Sequence, residues 1–594
     1  MKILIGYLSE EYLKHDRKRF DARYAPRDRN GHLFPLSIAE MLESCPPGWV
    51  PDVFLHPGIG HFPLPSDIEE FSGLSVCAIG DWDRRGRATR AGIGFFDLTM
   101  GQRELLPILR AEGYENAEFV RLWYTEPEKQ FVIPDTERDI DILFVGSLNP
   151  LIWRKREKWL EQIALLSDQY KVKIEYGVFG KEYNCLLNRA KIVFNCSAYG
   201  ETNARVYEAA ACGALLFNEA ENTENAEILE DGVHHVLYTQ ENYRERLAYF
   251  LASENEKERL KIAEAGRVRV VTRHTMRSHT DAMFGAIETH LGERTRPFLQ
   301  LPLWKQFYRK AQQVFGCLSP DYFTYCRRLL RDAQRAGCPP ELFHEAQATL
   351  FAWEAENGSD PVGLLSAAQE QAKRAFAVMP TNLYVRMTYA GICLARRNET
   401  GMAEQVLSET IQLCEALLSG QSVLDFSMIE GFGFPRTLDG FDFSNGCAEM
   451  SLYSRPEESA ETILRNFGGR CATMLFDLAL REGDLPKAIL HGQTALKLKS
   501  DAPLFRLRLA ECFAQTGNWA EAAKAFRAIE EVPFAIEHWI SAILAYRNAG
   551  LETEANAYLA ERLKIVDAMP GLSGMKPELK ALQVVESTEK GILE

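Results

Sequence analysis

None of the 13 cysteines in this sequence is spaced Cys-x-x-Cys, and several, such as Cys77, Cys196 and Cys393, stand alone inside apolar runs. That usage excludes a disulfide-stapled scaffold and a cysteine zinc site, and it predicts reduced core thiols in a cytoplasmic protein. No stretch approaches the ~18 consecutive apolar residues of a membrane-spanning helix. The start, MKILIGYLSEEYLKHD, reaches charged residues too early for a signal peptide. Positive charge is scarce: 68 Lys and Arg against 83 Asp and Glu leave a net charge of −15, which excludes the basic footprint of a nucleic-acid binder. A few arginines can still build a local phosphate pocket. There is no GxGxxG and no GxxxxGK[ST], so dinucleotide and P-loop nucleotide chemistry lose their signatures. No His/Cys group has ligand spacing, so no metal site is expected.

With 46% hydrophobic and 25% charged residues the chain is globular, and 594 residues call for roughly three to four domains. Residues 1–135 read as a small α/β domain. Strands are expected at 2–8, 53–56 and 74–79, each β-branched or apolar, with helices at 37–44 and 100–112. That alternation predicts a parallel sheet with right-handed crossovers, whose ligands meet the loops after strand C-termini. His56, His61, Asp81 and Asp83 fall at such places. Asp81 can serve as a base toward an acceptor hydroxyl, or cap a helix, or pair with Arg84 or Arg85.

A second α/β domain is expected at 136–292. Strand 140–145 runs into Gly146-Ser147, a small-residue turn that lets a ligand approach the backbone. Trp153-Arg154-Lys155-Arg156 then opens a helix. Arg154 and Arg156 can bind a diphosphate bidentately, with Lys155 as the other candidate cation, the bland alternative being a solvated basic helix start. The stretch KIVFNCSAYGETNARVYEAAACGALLF (191–217) reads as strand, polar loop, helix 205–212 ended by Gly213, and strand. It presents a helix N-terminus at the sheet edge, with Arg205 and Glu208 on one helix face.

Residues 300–594 read as helix throughout. Gly483, Gly517 and Gly550 stand 34 and 33 residues apart, and Ala488, Ala522 and Ala555 keep the same spacings, the tetratricopeptide length. Such units stack because none buries its apolar face alone. The Phe- and Gly-rich segment 419–469 breaks the period and is either a packed loop or a partner-binding element. The repeats are expected to recruit a protein acceptor or partner, and deleting residues after about 300 is expected to abolish transfer to that protein while leaving donor hydrolysis intact.

The order FVGS, arginine-bearing helix, KIVFN, NARVYEAAACGALL, GVHHVLY resembles the spore-maturation CgeB-like branch of the glycosyltransferases with the GT-B fold. The resemblance implies two facing Rossmann-like domains with the sugar donor mainly in the second, here followed by an α-solenoid of TPR-like pairs. It implies that Asn203, Arg205, Tyr207, Glu208 and Gly213 contact the donor, Glu208 through ribose or sugar hydroxyls. Gly146, Ser147, Arg154 and Arg156 complete the expected donor set. The wider superfamily has another glutamate eight residues before Glu208. Gly200 occupies that position, with Glu201 beside it. Asp81, His56 and Glu201 are the expected catalytic residues. Further implications are retention, independence of metal, no cofactor beyond a nucleoside-diphosphate sugar as donor substrate, and UDP as its nucleotide. The competing reading is a scaffold with a degenerate, non-catalytic domain.

Overall fold

The computed structural model describes the chain apart from residues 9–13, 27–36, 81–87, 112, 149–153, 198–201, 318, 358–359, 398, 426–427, 429–430, 433–436, 439–440, 443–459, 499–502, 528–533 and 584–594. The chain forms two compact units, Met1–Leu122 with Thr280–Ala502 and Trp123–His279 with Pro503–Glu594.

The first unit holds a parallel six-stranded sheet of order β2-β1-β3-β4-β5-β6. Its strands are β1 (Lys2–Tyr7), β2 (Asp21–Pro26), β3 (Val53–His56), β4 (Leu74–Ile79), β5 (Leu98–Gly101) and β6 (Ala117–Phe119). Continuous apolar runs such as Ile3-Leu4-Ile5 are buried on both faces, as parallel strands require. The helix expected at 100–112 begins later, at Leu105–Ala111, because Leu98–Gly101 is drawn into the sheet beside β4. Pairing supplied by the fold overrides the local helical pattern there.

Helices beyond the second sheet close this unit. Arg296 is buried, its Nε donating to Asp97 Oδ2 at 2.9 Å and its Nη atoms to the carbonyls of Ile68, Phe71 and Gly73. Gln313, in the Leu303–Gly316 helix, accepts from Leu64 N and donates to Ile59 O and Phe62 O. Paired helices follow, Pro340–Asn357 with Pro361–Val378, Leu383–Arg396 with Thr400–Leu418, and Ala460–Glu482 with Leu485–Leu498. The repeat signal has a physical basis. Gly483, Gly517 and Gly550 all take left-handed φ, +74°, +76° and +77°, just past the first helix of a pair. Ala488, Ala522 and Ala555 are fully buried one turn into the second helix, where a larger side chain would force the helices apart.

The second unit holds a parallel five-stranded sheet of order β11-β10-β9-β7-β8. The strands are β7 (Ile140–Val145), β8 (Val172–Glu175), β9 (Ala190–Phe194), β10 (Leu215–Glu219) and β11 (Val236–Tyr238). One face packs Phe144, Trp159, Phe194 and Tyr238 in a single cluster with Trp539, Ile543, Leu559, Ile565 and Val566 from the last helices. Arg562 pairs with Glu161 inside that layer, and Ser167 Oγ donates to Lys564 O at 2.9 Å. The expectation that everything after about 300 can be removed without touching the donor domain is therefore overturned. The C-terminal helices complete the core of the second sheet.

Two outcomes follow from this layer. A chain ending at residue 502 leaves the Trp159 face bare and is expected to lose cooperative thermal unfolding of the second sheet, measurable by calorimetry. Within the same layer, burial pushes the Glu157 carboxyl up to about 8, with Glu161 and Glu537 adding to the rise. The folded chain then holds a proton that the unfolded carboxyl, at about 4.3, releases. Stability falls as pH rises from about 4.5 to 8, because the folded state binds more protons in that window. Between pH 5 and 8 the wild-type Tm should drop more than that of Glu157→Gln.

Candidate functional site

The C-terminal edge of the second sheet is where its polar side chains gather. Asn203 caps the Ala204–Ala211 helix, its Oδ1 accepting from Arg205 N at 3.1 Å, and Gly213 ends it at φ +72°. Arg205 turns back into the sheet. Its Nε donates to Val145 O at 2.9 Å and its Nη1 to Asn195 Oδ1 at 2.7 Å, with the guanidinium 4.3 Å above the Phe144 ring. The chain of bonds continues across strands: Asn195 Nδ2 donates to Asn218 Oδ1, and Asn218 Nδ2 donates to His235 Nδ1, each at 2.8 Å. Burial, then the nearby Arg156, lowers the pKa of Arg205. Burial also lowers His235 to about 4, which keeps it neutral as the acceptor at the far end.

This assembly explains Gly146. A Cβ there would stand 2.2 Å from Arg205 Nη2 and 3.1 Å from Phe144, so the turn accepts only glycine while Arg205 lies across it. The Gly146 N–H, expected to face a phosphate, instead donates to Glu175 O at 3.0 Å.

A cavity of ≈ 1460 Å³ opens beside the turn, and Gly146, Ser147, Tyr176, Lys181, Tyr183 and Glu208 are among its lining residues. Tyr183 OH donates to Glu208 Oε2 at 2.8 Å. Burial raises the Glu208 pKa, while the Tyr183 bond and Arg205 pull it down. Lys181 stands in the first turn of the Gly180–Arg189 helix, whose N-terminus has no side-chain cap. Tyr183 and Lys181 were missed from the sequence. The available signal was Gly177 and Gly180, both left-handed at φ +70° and +60°, which bracket a tight loop just after β8.

The expected donor residues thus divide. Gly146, Ser147 and Glu208 meet at the cavity. Arg205 and Asn203 hold the sheet edge and helix start, and Tyr207 is buried with its ring against His274 and His279. Arg156 is buried with Nη1 3.3 Å from Ser147 O, and Lys155 pairs with Glu221. Arg154 is the first residue of the Arg154–Ala164 helix.

In the first unit His56 does not stand open at a strand end. It is fully buried, Nε2 3.2 Å from Pro63 O and Nδ1 accepting from Gly58 N, among the rings of Tyr7, Phe54, Phe62 and Phe96. Burial lowers its pKa to about 4, so its ring is neutral and enclosed. His61 is exposed. Asp81, Asp83, Gly200 and Glu201 lie outside the described residues, and so does the Asp-x-Asp spacing of Asp81-Trp82-Asp83. Among the described residues no group of three or more His, Cys, Asp or Glu is placed to hold a metal ion, and no helix is long and apolar enough to cross a membrane.

Residues 129–285 match the family model described as glycosyl transferase-like, and residues 473–536 match a tetratricopeptide repeat model. No curated protein matches the chain. Among solved structures it is similar to Anabaena HepE in complex with UDP-glucose, at 13% identity over 49% of this chain and 100% of that one, TM-score 0.35. It is similar to sucrose-phosphate synthase from Thermosynechococcus elongatus, at 9% identity over 49% of this chain and 99% of that one, TM-score 0.35. A third match, to TarM, has 11% identity and TM-score 0.33 and covers 41% of this chain and 56% of TarM. The second α/β region is a glycosyltransferase-type domain, and the helical region that follows contains tetratricopeptide repeats.

Gly146→Ala should cost about 1–3 kcal/mol in chemical denaturation, since the new methyl must displace the guanidinium or the ring. In an Arg205→Met background the same change should cost distinctly less, a coupling that a double-mutant cycle measures.

Proposed function

We propose that this protein moves a sugar from a UDP-sugar to an acceptor, as a metal-independent, retaining glycosyltransferase of the CgeB-like branch. The observation that carries this reading is the cavity in the glycosyl transferase-like segment, where the turn after β7, the loop after β8 and Glu208 converge at the carboxyl edge of a parallel sheet. Glu208 accepts from Tyr183 through one oxygen, and its other oxygen is the acceptor for a ribose or sugar hydroxyl. The uncapped N-terminus of the Gly180–Arg189 helix, with Lys181 in its first turn, suits the diphosphate better than Arg205, whose guanidinium is committed to Val145 and Asn195. Charge builds on that diphosphate as the glycosidic bond breaks, and a fixed dipole and cation stabilise it most at that moment.

The tetratricopeptide repeats are the part suited to recruiting a protein acceptor. A non-catalytic scaffold stays as the second reading, because the guanidinium of Arg205, an expected donor contact, is bonded to Val145 and Asn195.

Thermal-shift titration separates the two. UDP-glucose or UDP-N-acetylglucosamine at saturating concentration should raise the wild-type Tm by several degrees, as binding at about 100 times Kd adds about 2.7 kcal/mol. GDP- and dTDP-sugars should act less, and Glu208→Gln should cut the UDP-sugar response. A wild-type protein that no nucleotide sugar stabilises would overturn the enzyme reading.

A further inference from the structure

Four apolar residues on the wall of the same cavity come from the far end of the chain. Phe534, Ile536, Met569 and Leu572 line it together with the loop after β8. They are held there by the core that Trp539, Ile543 and Ile565 share with Trp159 and Phe194, so the wall is built into the second unit. At Gly571 a Cβ would lie 3.7 Å from the Tyr176 ring, which places the Pro570–Met575 turn directly against that loop.

The lining divides by chemistry. Side-chain hydrogen-bonding groups, among them Glu128, Lys129, Ser147, Lys181, Tyr183 and Glu208, all come from the sheet-bearing part of the chain, whereas the side chains of the C-terminal residues offer only hydrocarbon and thioether. Tyr176 and Phe179 are large aromatic residues left 55% and 81% exposed beside them. At ≈ 1460 Å³ the cavity exceeds the ~300–1,000 Å³ usual for a small-ligand pocket, leaving room beyond the polar groups. A nucleoside diphosphate sugar has only one part with broad apolar faces. Its phosphates and sugar must go to hydrogen-bonding partners, and the base is what an apolar wall and an open aromatic ring can hold.

We infer that the C-terminal helices take part in donor recognition, with Phe534, Ile536, Met569 and Leu572 forming the wall on which the nucleobase packs, facing Tyr176 and Phe179. This rests on the reading of the cavity as a nucleotide-sugar site, and it gives the helical region a role in the donor site itself. The wall contributes to affinity for the nucleoside, and the polar groups to affinity for the diphosphate.

The test uses the full chain and calorimetric titration with UDP and with uridine, and with inorganic pyrophosphate in competition against UDP. Phe534→Ala, Ile536→Ala and Met569→Ala probe the wall. Phe179→Ala, at an exposed position outside the core, is the variant that cannot act by loosening the fold, and thermal unfolding of each unliganded variant checks the others. The expected result is a tenfold or greater loss of UDP and uridine affinity with pyrophosphate affinity changed less than twofold. Variants that bind UDP like wild type overturn the inference while leaving the function reading standing. Equal losses for uridine and pyrophosphate also overturn it, because the wall then acts only as support. A wild-type chain that binds no UDP overturns the function reading, and this inference with it.

Discussion

A guanidinium lying nine-tenths buried across the end of a parallel sheet is the constraint on which the second unit depends. Arg205 cannot stay there unless every neighbour accommodates it, because an unsatisfied buried cation is among the costliest groups a protein can hold. Val145 gives a carbonyl, Asn195 an amide oxygen and Phe144 a ring face. Gly146 gives up its side chain altogether. Asn195 is in turn oriented by Asn218, and Asn218 by a neutral His235, so the bonds step from β7 to β9, to β10 and to the residue before β11. The ends of β7, β9 and β10 and the start of β11 are thereby tied together, and of these the turn after β7 lines the cavity. The helix that carries Arg205 also carries Glu208, so the same bonds place that carboxylate against Tyr183.

The other organising fact is that helical repeats and sheets are not separate bodies strung along the chain. In the first unit Arg296 and Gln313 satisfy backbone groups between β3 and β5, tying the start of the helical region to that sheet. In the second, the last helices cover one face of the sheet and pair Arg562 with Glu161. The last helices therefore share a core with the sheet of the second unit, whereas in the first unit the helices after residue 300 keep a hydrophobic cluster of their own and meet the sheet through these hydrogen bonds.

Strands made mainly of apolar residues, such as Ile140–Val145 and Leu74–Ile79, were legible in the sequence to the residue. Asp21–Pro26 and Leu98–Gly101 were not, since the first is polar and the second is short and set against a helical pattern. The repeat was readable because its glycines mark backbone conformations that other residues avoid. Glu208 and the turn at Gly146-Ser147, which local pattern singles out, line the cavity. The bonds that hold Arg205 were not legible, because helix position is written locally, whereas the carbonyl 60 residues away that captures it is not. The surroundings of His56 were hidden for the same reason: its place at a strand end was visible, but the aromatic cage around it is assembled from residues 7, 54, 62 and 96. Phe534 to Leu572 carry no local sign that they border a cavity.

The pairing of Arg562 with Glu161 spans 401 residues. At roughly 5–20 residues per second of synthesis, the Trp159 face of the second sheet waits about 20–80 s on the ribosome for the helices that cover it. Throughout that interval a layer of aromatic side chains stands open to water while the Thr280–Ala502 part of the first unit is made. The order of the chain thus creates a demand for temporary cover during birth that the finished protein no longer shows.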